Sequence, residues 1–185
     1  MASLIIDIGN TALKASWCDG MTLGKTFRYQ GERMFDFILS LISEKRPEKI
    51  VLSSARNFTD KNLEILENEC DRLIVADSTV FSEYGIPDHI TPDRAASIIA
   101  SRYLFKGRPC TIFDFGTMLT VDFLDKEGKF TGGCISPGCM TRFKSVNRYS
   151  RNLPLLSLPE ETEDKGISLS ASIASGVISG IMFEI

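Results

Sequence analysis

The stretch "IIDIGNTALK", residues 5 to 14, decides the fold. Two isoleucines lead into Asp7, Gly9, Asn10 and Thr11, after which Ala12 to Cys18 alternates apolar and polar residues like a half-buried strand. A strand that ends in acid, glycine, amide and hydroxyl and then turns straight back exposes backbone N–H groups beside a carboxylate. Glycine at such a turn permits positive φ and close approach of a ligand, and Asn or Thr beside it donates side-chain hydrogen bonds. Taken alone, the pattern is more often an ordinary tight turn.

The chain writes it twice. Asp114-Phe115-Gly116-Thr117 follows a strand at Cys110 to Phe115 and returns through Thr120 to Leu124, and Lys126-Glu127-Gly128 then turns into Lys129 to Ile135. This reads as an internal duplication. Gly107-Arg108-Pro109 marks the boundary, giving units at 1–108 and 109–185. Two such turns facing one another would clamp a polyphosphate. An acid at a strand end suits Mg²⁺, which is held by one or two carboxylates plus water and substrate phosphates, and Asp7 is the candidate. Lys14 either offsets phosphate charge or stands as a solvated side chain.

Between the two turns the pattern alternates. Residues 3–8, 12–18 and 22–30 form an antiparallel meander, with Asp19-Gly20 as one turn. A helix over Glu32 to Lys45 places Phe35, Ile38, Leu39 and Ile42 on one face and is stopped by Pro47. A strand follows at 49–54, then a helix capped at Thr59-Asp60 with Leu63, Leu66 and Cys70 inward, then a strand at 72–76. Strands alternating with helices imply a partly parallel sheet covered by helices. Asp77 to Pro92 reads as a long connection, either functional or a plain surface excursion, before a helix at 93–105.

Composition bounds the function. The 185 residues are 43% hydrophobic with net charge -3, and there is no block of Lys or Arg to make a nucleic-acid footprint. The N-terminus lacks a signal-peptide pattern and no apolar run approaches a membrane span, so a cytoplasmic protein acting on a small molecule is expected, with no nucleic-acid or membrane partner. Five scattered cysteines and one histidine predict reduced, mostly packed thiols rather than disulfides, structural zinc or a Cys-His nucleophile.

Three further segments bear on chemistry. Thr91-Pro92-Asp93-Arg94 sets a carboxylate and a guanidinium at a helix start, where a cap with a surface arginine is the competing reading. Gly132-Gly133-Cys134-Ile135-Ser136-Pro137-Gly138 supplies small residues where a strand gives way to a helix, for substrate approach or as mere turn chemistry. Ser168 to Ile185 is a helix with a narrow side formed by Ala171, Ser172, Ser175, Gly176, Ser179 and Gly180, which close packing explains as well as function does.

Together, D-x-G-N-T-x-x-K at 7–14, P-D-R at 92–94, D-x-G-T at 114–117, T-x-D at 120–122 and G-G-x-I-x-P-G at 132–138 resemble type III pantothenate kinase in order and spacing. The resemblance implies an α/β actin-like ATPase (ribonuclease H-like) fold of duplicated domains, mixed sheets flanked by helices. It implies ATP-dependent phosphorylation of pantothenate to 4'-phosphopantothenate, the first step of coenzyme A synthesis, in a homodimer using Mg²⁺ and a monovalent cation, K⁺ or NH₄⁺. Carried over by position, Asp7, Ile8, Gly9, Asn10, Thr11, Ala12, Leu13, Lys14 and Thr117 would contact ATP. Asp7 would organise Mg²⁺ through water, and Asp114 would bind the monovalent cation. Asp93 would be the proton acceptor, with Tyr84, Thr91, Pro92, Asp93 and Arg94 around pantothenate.

Two departures stand out. The family usually has Gly where Thr91 stands, and its pantothenate-contacting Thr falls near Ser168, Leu169 and Ser170. Family members also continue past the last helix into a strand and glycine-rich turn over adenosine, so the second domain is expected to be incomplete. The alternatives are a non-catalytic nucleotide-binding regulator on the same scaffold, or a kinase for another small alcohol.

Overall fold

A computed structural model describes residues 2–9, 11–54 and 58–185; Asn10 lies outside them. Internal packing divides the chain into two compact units, one running to Ala100 and one from Ser101.

The first unit opens with the predicted meander: β1 (Ala2–Ile8), β2 (Leu13–Asp19) and β3 (Thr22–Tyr29). Gly20 in the β2–β3 turn has φ +59, the left-handed conformation in which glycine carries no Cβ penalty. Then follow α1 (Met34–Glu44), β4 (Lys49–Ser54), α2 (Asp60–Asn68), β5 (Arg72–Val75), α3 (Ser78–Glu83) and α4 (Pro92–Leu104). The sheet order is β3-β2-β1-β4-β5, antiparallel across β2 and parallel from β1 through β4 to β5. Leu4, Ile6 and Ile8 alternate onto one face of β1 and pack with Leu13, Ile50, Leu52 and the buried faces of α1 and α2.

Two expectations are corrected here. The inward stripe of α1 is Met34, Ile38, Leu41 and Ile42, so Phe35 and Leu39 lie at its flank, only half-buried. Met34 and Leu41 complete the stripe on the other side of Ile38 and Ile42, and Phe35 packs against the edge of the same core. The segment 77–92 contains α3, whose first turn is capped by the Asp77 carboxylate accepting from the Val80 N–H at 3.0 Å. A polar pattern hid a helix of one and a half turns.

The second unit holds β6 (Cys110–Phe115), β7 (Met118–Leu124), β8 (Phe130–Pro137), α5 (Cys139–Tyr149) and α6 (Leu169–Glu184). Its three strands form an antiparallel sheet in chain order. Leu119 packs with Phe143 of α5 and with Val177 and Ile181 of α6. Gly132 to Pro137 is strand rather than turn: Gly132 has φ +148 and sits where the β7–β8 register shifts, a bulge only glycine adopts readily. All five cysteines are free thiols, but only Cys70 is buried and Cys134 is exposed, so the packing expected of them holds for few. Among the described residues, no helix is long and apolar enough to cross a membrane.

Candidate functional site

The two acid–glycine turns share one construction. In the first, the Gly9 N–H donates to the Ala12 carbonyl at 3.0 Å; in the second, the Gly116 N–H donates to the Met118 carbonyl at 3.0 Å. The same bond closes both hairpins, with one residue fewer in the second. Asp7 stands on the face of β1 opposite Leu4, Ile6 and Ile8, away from α1 and α2. Asp114 likewise alternates with Phe113 and Phe115, and shares a cross-strand row with Thr120 rather than with Leu119, the residue under α5 and α6. Each acid therefore sits on the sheet face opposite its unit's helical core.

Neither glycine has positive φ, contrary to one reason for expecting glycine there. A Cβ at Gly9 or Gly116 would meet only backbone oxygens at 3.6 Å and, at Gly116, the Asp114 carboxylate at 3.8 Å. Neither backbone strain nor internal crowding therefore accounts for glycine at these turns.

Register settles the neighbours of Asp7. It lies directly across from Lys14 in the antiparallel ladder and beside Ser53 in the parallel one. Cross-strand partners are ~4.5–5.5 Å apart, so Lys14 leaves the sheet on the same face as Asp7. Ile8, Ala12 and Leu13 have buried side chains, so contact from them to a ligand goes through the backbone; Thr11 and Lys14 are exposed.

The second turn is braced from α5. Gly138, the residue before that helix, donates its N–H to the Thr117 carbonyl at 3.0 Å, and the Thr141 hydroxyl donates to the same oxygen at 2.6 Å. A Cβ on Gly138 would lie 2.1 Å from the Gly116 oxygen. The glycine ending the 132–138 segment is therefore required by contact with the turn, a link the motif spacing did not reveal. Arg142, one turn further along, donates to the Pro137 carbonyl, the Ser136 hydroxyl and the Glu184 carboxylate, tying β8 to α6. That guanidinium, followed by the Ser136 hydroxyl, holds the Glu184 carboxyl below its ordinary range.

At the start of α4, Pro92 occupies the first helical position, where its missing N–H costs nothing. Asp93 is exposed. Arg94 is 5% exposed, which removes the surface-arginine reading of this motif. Tyr84, which ends α3, is exposed. A cavity of about 500 Å³ opens in the same unit, lined by Leu52, Phe58, Val75, His89, Thr91 and Pro92 among others. It lies past the carboxyl ends of the parallel strands β4 and β5, the usual ligand position in such sheets.

Sequence reading gave no role to two residues here. His89 borders the cavity, and Asp122 is 1% exposed on the same face of β7 as Thr120. The T-x-D spacing was the available signal for the second, since residues two apart on a strand share a face. Among the described residues no cluster of three or more His, Cys, Asp or Glu is placed to hold a metal. A single carboxylate such as Asp7 still suits Mg²⁺ that arrives with phosphate oxygens and water.

Solved structures with this architecture include a Campylobacter jejuni protein assigned to the Baf family of transcriptional activators. It has 21% identity and TM-score 0.60, the match covering 98% of this chain and 76% of that one. A Listeria monocytogenes protein assigned as an N-acetylmannosamine kinase has 14% identity and TM-score 0.54, covering 97% and 74%. The fold is that of the actin-like ATPases. The profile of the type III pantothenate kinase family matches residues 3–185, and the chain belongs to that family. A Cytophaga hutchinsonii type III pantothenate kinase is 34% identical over 99% of this chain and 77% of its own length. Its Phocaeicola vulgatus counterpart is 32% identical over 98% and 76%.

Proposed function

We propose that the protein transfers the γ-phosphoryl group of ATP to the primary hydroxyl of pantothenate. The product is 4'-phosphopantothenate, and the reaction is the first step of coenzyme A synthesis. The observation that carries the reading is the pair of turns closed by the same glycine N–H bond, each with its acid on the face away from the helical core. Family membership supplies the acceptor.

Phosphoryl transfer needs alignment of the nucleophile and charge stabilisation more than covalent help from the protein. In this reading Asp7, Ile8, Gly9, Asn10, Thr11, Ala12, Leu13 and Lys14 contact ATP, the buried members through their backbone, and Thr117 is a further ATP contact. Asp7 holds Mg²⁺ through water, and Asp114, opposite Thr120, binds K⁺ or NH₄⁺. These cations neutralise phosphate charge when bound. Asp93 accepts the proton of the acceptor hydroxyl, while Tyr84, Thr91, Pro92 and Arg94 surround pantothenate next to the cavity. The duplicated units are read as 1–108 and 109–185, and the working form as a cytoplasmic homodimer.

The test is ADP release that depends on pantothenate, measured with K⁺ and with Na⁺. Asp93→Asn should lower kcat by ~10²- to 10⁴-fold, the usual contribution of a positioned base. Turnover that ignores pantothenate, or that survives this substitution, would reject the assignment.

A further inference from the structure

The start of α4 carries a second device. A threonine preceding a helix ordinarily uses its side-chain oxygen to accept an N–H from the second or third helical residue. Here the third of those N–H groups, on Arg94, donates instead to Asp93 Oδ1 at 2.9 Å. The Thr91 carbonyl accepts the Ala95 N–H at 2.9 Å, and Pro92 has no N–H to satisfy. The Arg94 and Ala95 N–H groups are therefore served without the Thr91 hydroxyl, and that hydroxyl donates to the same Asp93 Oδ1.

Two donors from different residues thus converge on one carboxylate oxygen. Among the described residues none donates to Oδ2, and Asp93 is exposed. A carboxylate hydrogen-bonded at one oxygen from two directions cannot exchange its oxygens by rotation without breaking both bonds. We propose that Thr91 is a positioning residue that fixes which oxygen of Asp93 acts, turning Oδ2 toward the acceptor. The role rests on the reading of Asp93 as the base. In the step it serves, the acceptor O–H bond breaks and its proton goes to Oδ2. The acceptor oxygen bonds the γ-phosphorus, and the bridging P–O bond breaks to release ADP.

The experiment compares Thr91→Val, which keeps the branched shape without the hydroxyl, with Thr91→Ser, which keeps the hydroxyl. Thr91→Val should lower kcat about tenfold, small beside the loss of the base itself. The KM for ATP and the melting temperature should stay unchanged, because the hydroxyl does not cap the helix. Thr91→Ser should restore kcat. Wild-type turnover by Thr91→Val, or a loss of kcat that comes only with a lower melting temperature, overturns the role. Asp93→Asn in the same assay separates the two readings. An inactive Asp93→Asn with an unaffected Thr91→Val removes only the role of Thr91, whereas an active Asp93→Asn removes both. A crystal structure of the Thr91→Val chain gives an answer independent of turnover. The Asp93 carboxylate should occupy more than one rotamer, and an unchanged carboxylate on the Arg94 N–H would refute the proposal.

Discussion

Replacing Gly138 by alanine places a Cβ 2.1 Å from the carbonyl oxygen of Gly116 and 2.9 Å from that of Thr117. Both neighbours are backbone, so no flexible side chain can swing aside. To reach ordinary contact, the start of α5 and the 116–117 turn must separate by roughly 1.2–1.5 Å, judged against the ~3.3–3.6 Å of close C···O contacts. That movement stretches the Gly138 N–H bond to Thr117, 3.0 Å long, and the 2.6 Å bond from Thr141 to the same oxygen. Overpacking of this kind costs ~1–3 kcal/mol and a lost hydrogen bond about 1 more, so the unit should lose roughly 2–4 kcal/mol. In urea the midpoint should fall by about 1–2 M at unchanged slope. A displacement of that size at the turn proposed to contact ATP should also cut turnover by ~10²-fold. Gly176→Ala is the control, because a Cβ there meets nothing within 4 Å and lies in α6, where alanine is favoured by ~1 kcal/mol. Equal stability of the two variants, or a Gly138→Ala protein that binds ATP and unfolds like the parent, would refute the brace.

Further outcomes follow from other contacts. The Arg142 guanidinium depresses the pKa of Glu184 in the folded protein, so this pair stabilises above the ordinary glutamate value of 4.5 and its contribution is lost as pH falls below it. Glu184→Gln should flatten that part of the acid unfolding profile while leaving its alkaline side unchanged. Phe143 is 1% exposed in the core of the second unit, and Phe143→Ala should cost ~3–5 kcal/mol in a denaturant titration. Gly128 has φ +79, and its Cβ would press on Arg102 at 3.0 Å, so Gly128→Ala should lower stability by ~1–2 kcal/mol. Lys14→Met removes the ammonium opposite Asp7 and should weaken ATP binding about tenfold by calorimetry, with little change in melting temperature.

The two turns were legible because everything that defines them lies within a dozen residues: an aliphatic strand, an acid, a glycine, a hydroxyl and a return strand. Element order was legible for the same reason, since a strand or helix declares itself through spacing of two or about 3.6 residues. The helix α3 was not, because six polar and apolar residues carry too little periodicity to separate a short helix from a loop. The face of α1 was legible only in part, because Ile38 and Ile42 belong to two overlapping stripes and spacing alone does not say whether Met34 and Leu41 or Phe35 and Leu39 turn inward.

Sequence alone determined the repeated acid–glycine pattern, the acid at each strand end and the helix start that carries Asp93. Tertiary structure alone decided that Lys14 faces Asp7, that Arg94 is buried, and that Gly138 must lack a side chain to lie against Thr117. The reason is physical: local conformation depends on neighbours a few residues away, whereas burial and bracing depend on which distant segments the hydrophobic core brings together.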